Sequence, residues 1–283
     1  MGRCTAALIA LCCVTLHASN ASAQAIIEGG RTVLAAIVNA QGRPIVDVGV
    51  DDVVVSEGGA SRDVVDVHVA DYPLSIVLDD RQASSASLET LRQSAQRFVK
   101  RVGERPIALV RLSDGSQPAV GLDDERALLL DRIAEFSTGP VVTPPLDTIA
   151  RAAALLKDTG APFSAVIVIA AEPVDASALV RGELLPQIIE SGAAVHVVQL
   201  QPGPAATDDP GVPDLLRVIA DQTKGQFTPI FSAASFGAAL DRLADRLAVE
   251  MMIQYVVPPG SNAGDVRIGV RMPGSRVIGL GVK

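Results

Sequence analysis

Apolar residues recur along this chain with two different periods, and the change of period divides it. Over residues 32–70 short β-like runs alternate with turn signals. The runs are 33–38, 53–55 and 64–69, and the turns are Gln41-Gly42-Arg43-Pro44 and Glu57-Gly58-Gly59. In the last run Asp66, His68 and Ala70 alternate with Val65, Val67 and Val69, which predicts the wetter face for His68. After Pro73 strands alternate with helical stretches. A strand at 74–78 leads to a helix over 85–102, whose Leu88, Leu91, Ala95, Phe98, Val99 and Val102 form one apolar stripe. A strand follows at 107–110, then helices over 124–136 and 146–156. The unbroken apolar run 165–171 predicts a central parallel strand, because a strand covered on both faces loses its alternation. Residues 195–200 read likewise, with helices over 184–190, 213–223 and 235–249. From Met252 the β texture returns at 253–257, 266–272 and 277–282, divided by Pro258-Pro259-Gly260 and Pro273-Gly274.

The pattern predicts an α/β core over 73–250. A small β appendage is built from an N-terminal segment, 24–72, and a C-terminal one, 251–283, paired into one sheet. In an open α/β sheet ligands bind beyond the carboxyl ends of the strands. Leu78 is followed there by Asp79-Asp80-Arg81-Gln82-Ala83, a carboxylate thrust from an apolar strand tip into a polar turn.

The first residues change the picture of where the chain works. Arg3, an apolar stretch over 6–16 and Ala21-Ser22-Ala23 read as an export signal cleaved after residue 23, which places the mature protein in the periplasm or outside the cell. The apolar stretch is too short to span a bilayer, and no later segment reaches the roughly 18 uninterrupted apolar residues of a span. Cys12 and Cys13 lack the small preceding residue of a lipid-attachment box. Cys4, Cys12 and Cys13 all lie in the leader, so no disulfide, thiolate nucleophile or cysteine ligand is expected after export. The chain has a net charge of −8, and cleavage removes Arg3 but no acid. An acidic chain without a long Lys/Arg run argues against nucleic acid as a partner. Aromatics at 3% leave few surfaces on which bases or sugars could stack.

The order of elements and several local strings resemble a von Willebrand factor A (VWFA) domain, and more closely the VWFA-related exported proteins of Acidobacteria and similar bacteria. Gln41-Gly42-Arg43-Pro44, followed by Val50-Asp51-Asp52-Val53-Val54-Val55-Ser56-Glu57-Gly58-Gly59, is similar to that family's N-terminal segment. Ser75-Ile76-Val77-Leu78-Asp79 resembles its first core strand, and 216–227 with Gly225 and 255–259 resemble its closing parts. The resemblance implies a doubly wound, Rossmann-like, mostly parallel sheet. It also implies a metal-ion-dependent adhesion site, in which an Asp-x-Ser-x-Ser turn, a loop Thr and a later Asp hold Mg2+ through oxygens.

Carried over residue by residue, Asp79 fits the first Asp, Thr143 the loop Thr, and Glu172 stands where the later Asp is expected. Arg81 and Ala83 replace the two serines, so the site is a degenerate one. Sliding the frame to Asp80-Gln82-Ser84 recovers one hydroxyl but shifts the strand end, and Ser84 or Ser85 then reads more simply as a helix N-cap. A guanidinium within a few Å of a divalent ion repels it by an amount on the order of kcal/mol even with strong screening. Arg81 either replaces the ion by pairing with Asp79 or Glu172, or lies in solvent over a vacant site; a hydrated Mg2+ held loosely by Asp79, Asp80, Thr143 and Glu172 is the third alternative.

Other chemistry is thin. His196 lies in an apolar strand, where a packed histidine is expected, His68 is isolated, and no nucleophile-elbow string is present. Asp123-Asp124 stands at a helix start, where acids complement the dipole. The expectation is a non-enzymatic module without metal or cofactor that binds another protein through Asp79, Asp80, Arg81, Ser84, Thr143 and Glu172. The rivals are an Mg2+-dependent adhesion module and a hydrolase using carboxylates near Asp79.

Overall fold

β7 (Ala165–Ala170) is buried at all six positions, the environment its unbroken apolar sequence demands. It pairs in parallel with β5 (Leu74–Leu78) on one side and β8 (Ala194–Leu200) on the other. β6 (Ile107–Arg111) lies outside β5 and β9 (Phe227–Ile230) outside β8, which gives the order β6-β5-β7-β8-β9. The computed structural model describes residues 30–80, 85–114, 117–138, 143–171, 184–201, 214–259 and 264–283. The leader with its cleavage site and cysteines, and Arg81, Ala83, Ser84 and Glu172, lie outside the described residues.

Successive side chains of each strand leave on opposite faces, and helices cover both. Leu74, Ile76 and Leu78 pack with α1 (Ser85–Arg101), α2 (Arg126–Glu135) and α6 (Phe236–Leu247). Val77, Val166 and Val168 pack with α3 (Pro145–Lys157), α4 (Leu184–Glu190) and α5 (Leu215–Gln222). The sheet is doubly wound and Rossmann-like, as expected. α3 opens on Pro145, whose fixed φ suits a first helical turn and whose missing N–H would have had no helical partner.

The N- and C-terminal strands form the β appendage, but as two sheets rather than one. β1 (Gly30–Val38) lies between β10 (Glu250–Val256) and β12 (Arg276–Val282), with β4 (Val64–Val69) outside β10, all antiparallel. The second sheet is β11 (Val266–Val270), β2 (Val53–Glu57) and β3 (Ala60–Arg62). The division follows from β1, which is apolar on both faces. Val33, Ala35 and Ile37 pack on Val53 and Val55 of the small sheet, while Leu34 and its neighbour Met252 join the α/β core. Both faces need cover, and one sheet supplies only one.

Three local features depart from the sequence reading. β9 was not anticipated, because Pro229 lies inside it; a proline is tolerated on an edge strand, where one side of the ladder is unpaired. β3 has only three residues and is joined to β2 by Gly58-Gly59, both at positive φ, the geometry of a tight hairpin turn. On β4 the exposures are reversed, with Val65 and Val69 each 40% exposed and His68 half-buried. His68 pairs with Met252, so its face turns toward the α/β core, and its Nδ1 lies 2.7 Å from the Asp66 carboxylate.

The appendage is tied together by a buried charge. Glu57, 1% exposed, pairs with Arg31 of β1, lies 3.8 Å from Arg62 Nε of β3, and accepts the Gly264 N–H at 3.4 Å. Its junction with the α/β core is polar as well. The Tyr72 hydroxyl donates to Glu250 Oε2 at 2.6 Å, while buried Arg105 stacks 4.8 Å from the Tyr72 ring and donates to the carbonyls of Ala70 and Leu247. Burial and the neighbouring Glu250 carboxylate hold the Tyr72 hydroxyl far above its usual range, so it remains a donor. Among the described residues no helix is long and apolar enough to cross a membrane.

Candidate functional site

The chain leaves β5 for β6 on one side and later returns to β7 on the other, so the crevice between β5 and β7 is the topological switch point. Asp79 closes it. Its N–H donates to the Ile169 carbonyl at 3.0 Å and its Oδ2 accepts the Ala171 N–H at 3.0 Å, so backbone and carboxylate both bridge to β7. Asp80 turns to the opposite face, as the next residue of an extended chain must. It accepts the Ser113 N–H at 3.1 Å and the Ser113 hydroxyl, both from the turn beyond β6. The residues are 4% and 1% exposed. Two adjacent carboxylates are thus committed to two different neighbouring strands.

Thr143 joins them through β6. Its N–H donates to the Leu112 carbonyl at 3.1 Å and its hydroxyl to the Asp114 carbonyl at 3.2 Å, which lays the loop before α3 over the tip of β6. That tip is itself braced, since Asp114 accepts from the Arg111 backbone N–H at 2.8 Å and from its guanidinium at 2.9 Å. Beneath Asp79 an apolar hollow of about 10 Å³, bounded by Leu112, Pro145, Ile149 and Leu216, is no larger than a single water. Beside Thr143 an open groove of about 500 Å³ runs between α3 and α4, past Asp147, Arg151 and Gln187.

Of the six residues expected at the site, Asp79, Asp80 and Thr143 come together at the carboxyl end of the sheet. Arg81, Ser84 and Glu172 lie outside the described residues, and with them the proposed pairing of Arg81. Sequence reasoning missed Ser113, the partner of Asp80. The signal was available in Arg111-Leu112-Ser113-Asp114, a second apolar strand ending in a hydroxyl and a carboxylate. It also missed Phe231, which follows β9 at the same end and is 69% exposed. Asp124 acts as a turn clasp rather than a helix cap, because its Oδ2 accepts the Gly121 N–H at 2.7 Å and the residue preceding α2 is Glu125.

Both Asp80 oxygens accept from Ser113, one Asp79 oxygen accepts from Ala171, and the Thr143 hydroxyl is directed to a carbonyl. Octahedral Mg2+ needs several such oxygens turned to one point, and the two motif serines are Arg81 and Ala83 in this chain.

Burial pushes the Asp80 carboxyl above its usual range, against the two Ser113 hydrogen bonds that hold it down. A carboxyl raised in the folded state favours folding below its unfolded pKa, and that contribution is lost as pH rises through the folded value. Asp80→Asn keeps the shape and one of the two oxygens that accept from Ser113, without the charge. The stability of the variant relative to the parent is therefore expected to increase from pH 4 to pH 7 in urea denaturation. A difference independent of pH would show that Asp80 is not penalised by burial.

The strand order and the helices on both faces define a doubly wound, Rossmann-like α/β fold, the fold that the resemblance to VWFA domains implies. No protein-family model matches the chain, and no curated protein matches it. Many solved structures resemble it, three bacterial ones among them. A von Willebrand factor type A protein from Catenulispora acidiphila is 13% identical, with 90% of this chain and 73% of that one covered and a TM-score of 0.49. BatB from Bacteroides thetaiotaomicron is 18% identical, with 62% and 98% covered and a TM-score of 0.44. The vWF domain of the type V pili tip protein Mfa5 from Porphyromonas gingivalis is 11% identical, with 63% and 95% covered and a TM-score of 0.46.

Proposed function

We propose that this protein is exported by its leader and acts, in the periplasm or outside the cell, as a non-enzymatic VWFA-like module. It binds another protein through the loops at the carboxyl end of its parallel sheet, without a bound metal ion. The observation that carries this reading is that the fold itself engages both strand-tip carboxylates. A hydrolase needs a carboxyl positioned to exchange a proton with substrate, whereas both Asp80 oxygens accept from Ser113. What faces outward is a braced rim: the Thr143 loop, the groove between α3 and α4, and Phe231. An exposed aromatic ring at this end of the sheet suits a protein partner, since aromatic residues are enriched at interfaces.

Immobilised mature protein, cross-linked after exposure to its native envelope fraction, is expected to retain one partner equally in Mg2+ and in EDTA. Phe231→Asp, a change at an exposed position, is expected to reduce retention about tenfold or more. Retention abolished by EDTA would favour the Mg2+-dependent adhesion module. Hydrolytic activity lost in both Asp79→Ala and Glu172→Ala would favour the enzyme.

A further inference from the structure

A second hollow, of about 410 Å³, lies at the other end of the parallel sheet, between the amino ends of β7 and β8, helix α6, and strands β1 and β12. Its volume is in the range of about 300–1,000 Å³ typical of small-molecule sites, and it sits where two structural units meet, a preferred place for them. Phe163, Ile189 and Leu280 give it an apolar wall. Its polar lining runs against the acidic character of the chain, because Lys224, Arg246 and Lys283 line it with Glu250 the one acidic side chain among the described lining residues.

Each of these groups is placed by contacts of its own. Glu250 Oε2 is taken by the Tyr72 hydroxyl, and its Oε1 lies 4.0 Å from Arg246 Nε. Burial raises the Glu250 carboxyl above its usual range, against the Tyr72 hydrogen bond and the Arg246 and Arg105 charges that hold it down. Arg246 is steadied by donation to Gln226 Oε1 at 2.9 Å. His196, 3% exposed, accepts the Gln226 N–H on Nδ1 at 3.1 Å, so its ring proton is on Nε2. Burial, and secondarily Arg246, lower its pKa to about 4, which makes it a neutral donor at physiological pH.

Lys224 is the most informative of the set. It takes the left-handed position of the cap that ends α5, with φ +61 and two closing bonds: Gly225 N–H to Ala220 O at 2.8 Å and Lys224 N–H to Asp221 O at 3.3 Å. Glycine fills that position without strain, and a lysine does not. Capping therefore gives no reason for a lysine here, whereas a cation at the mouth of this hollow does.

We propose that the hollow binds a compact organic anion, an apolar body carrying one carboxylate or phosphate. The body rests on Phe163, Ile189 and Leu280, and the anion lies among Lys224, Arg246 and the Nε2–H of His196. Charge-assisted hydrogen bonds to two cations and one neutral donor supply the selectivity for negative charge.

Calorimetry and proton NMR of the purified protein with phenylacetate, phenyl phosphate, 2-phenylethanol and phenethylamine test this, because the four share a ring and differ in charge. One of the two anions is expected to saturate a single site and shift the His196 ring protons, with the alcohol about tenfold weaker or worse and the amine weaker still. The tighter anion identifies the head group. Lys224→Gly is expected to raise the unfolding temperature and yet weaken the anion about tenfold, a combination a purely structural lysine would not produce. Absence of saturable binding by both anions, equal binding of the alcohol, or unchanged affinity in Lys224→Gly would overturn the proposal.

Discussion

Gly225→Ala should destabilise this protein by about 3 kcal/mol or more, a large share of the stability of a typical domain. The added methyl would stand 1.9 Å from the Val195 carbonyl oxygen and 2.4 Å from its carbon, in the backbone of β8. A side chain can rotate away from such a clash, but a central strand cannot. Relief requires moving the turn between α5 and β9 off β8. That turn is fastened by Val195 N–H to Thr223 Oγ1 at 3.0 Å, Gln226 N–H to His196 Nδ1 at 3.1 Å, and Val197 N–H to the Gln226 carbonyl at 2.7 Å. Urea denaturation followed by circular dichroism measures the loss. A cost below about 1 kcal/mol would mean that β9 is not seated against β8 as described.

The second large effect is expected at Glu57→Ala, at about 3 kcal/mol. Here the cause is charge rather than volume. Glu57 is the buried acid between Arg31 and Arg62, whose side chains are 23% and 14% exposed, and it is the acceptor for the Gly264 N–H. Its removal leaves two guanidinium groups confined together, without the carboxylate that offset their desolvation. Glu57→Gln keeps an acceptor and should lose less. Hydrogen exchange should locate the damage in β2, β3 and β11, with the α/β strands protected as before. A small cost in both variants would show that the arginines reach water unaided.

The two cases also show what could be read from the residues alone. The α/β core was legible because its signals are local: six unbroken apolar residues in β7 require cover on both faces, and the stripe of α1 repeats at helical spacing. Asp79 was legible as a strand-tip carboxylate for the same reason. The destinations of the carboxylates were not, because Asp80 meets Ser113 only through the pairing of β5 with β6, a contact across 33 positions. β9 was hidden by Pro229, which excludes a central strand but not an edge. Glu57 looked like an ordinary turn residue before Gly58-Gly59; its burial depends on β1 and β3 arriving with arginines. The resemblance to VWFA domains points to the carboxyl end of the sheet, where Arg81 and Ala83 stand in place of the family's two serines.

Those departures make the ion-free account directly testable. Titration of the mature protein with Mg2+ and Mn2+ in a calorimeter, beside the double variant Arg81→Ser with Ala83→Ser, compares the site as it is with the site carrying the family's hydroxyls. The account predicts no saturable binding by the parent and a gain of Mg2+ affinity in the variant. Saturable binding by the parent with a dissociation constant of about 1 μM, or some −8 kcal/mol, would contradict it.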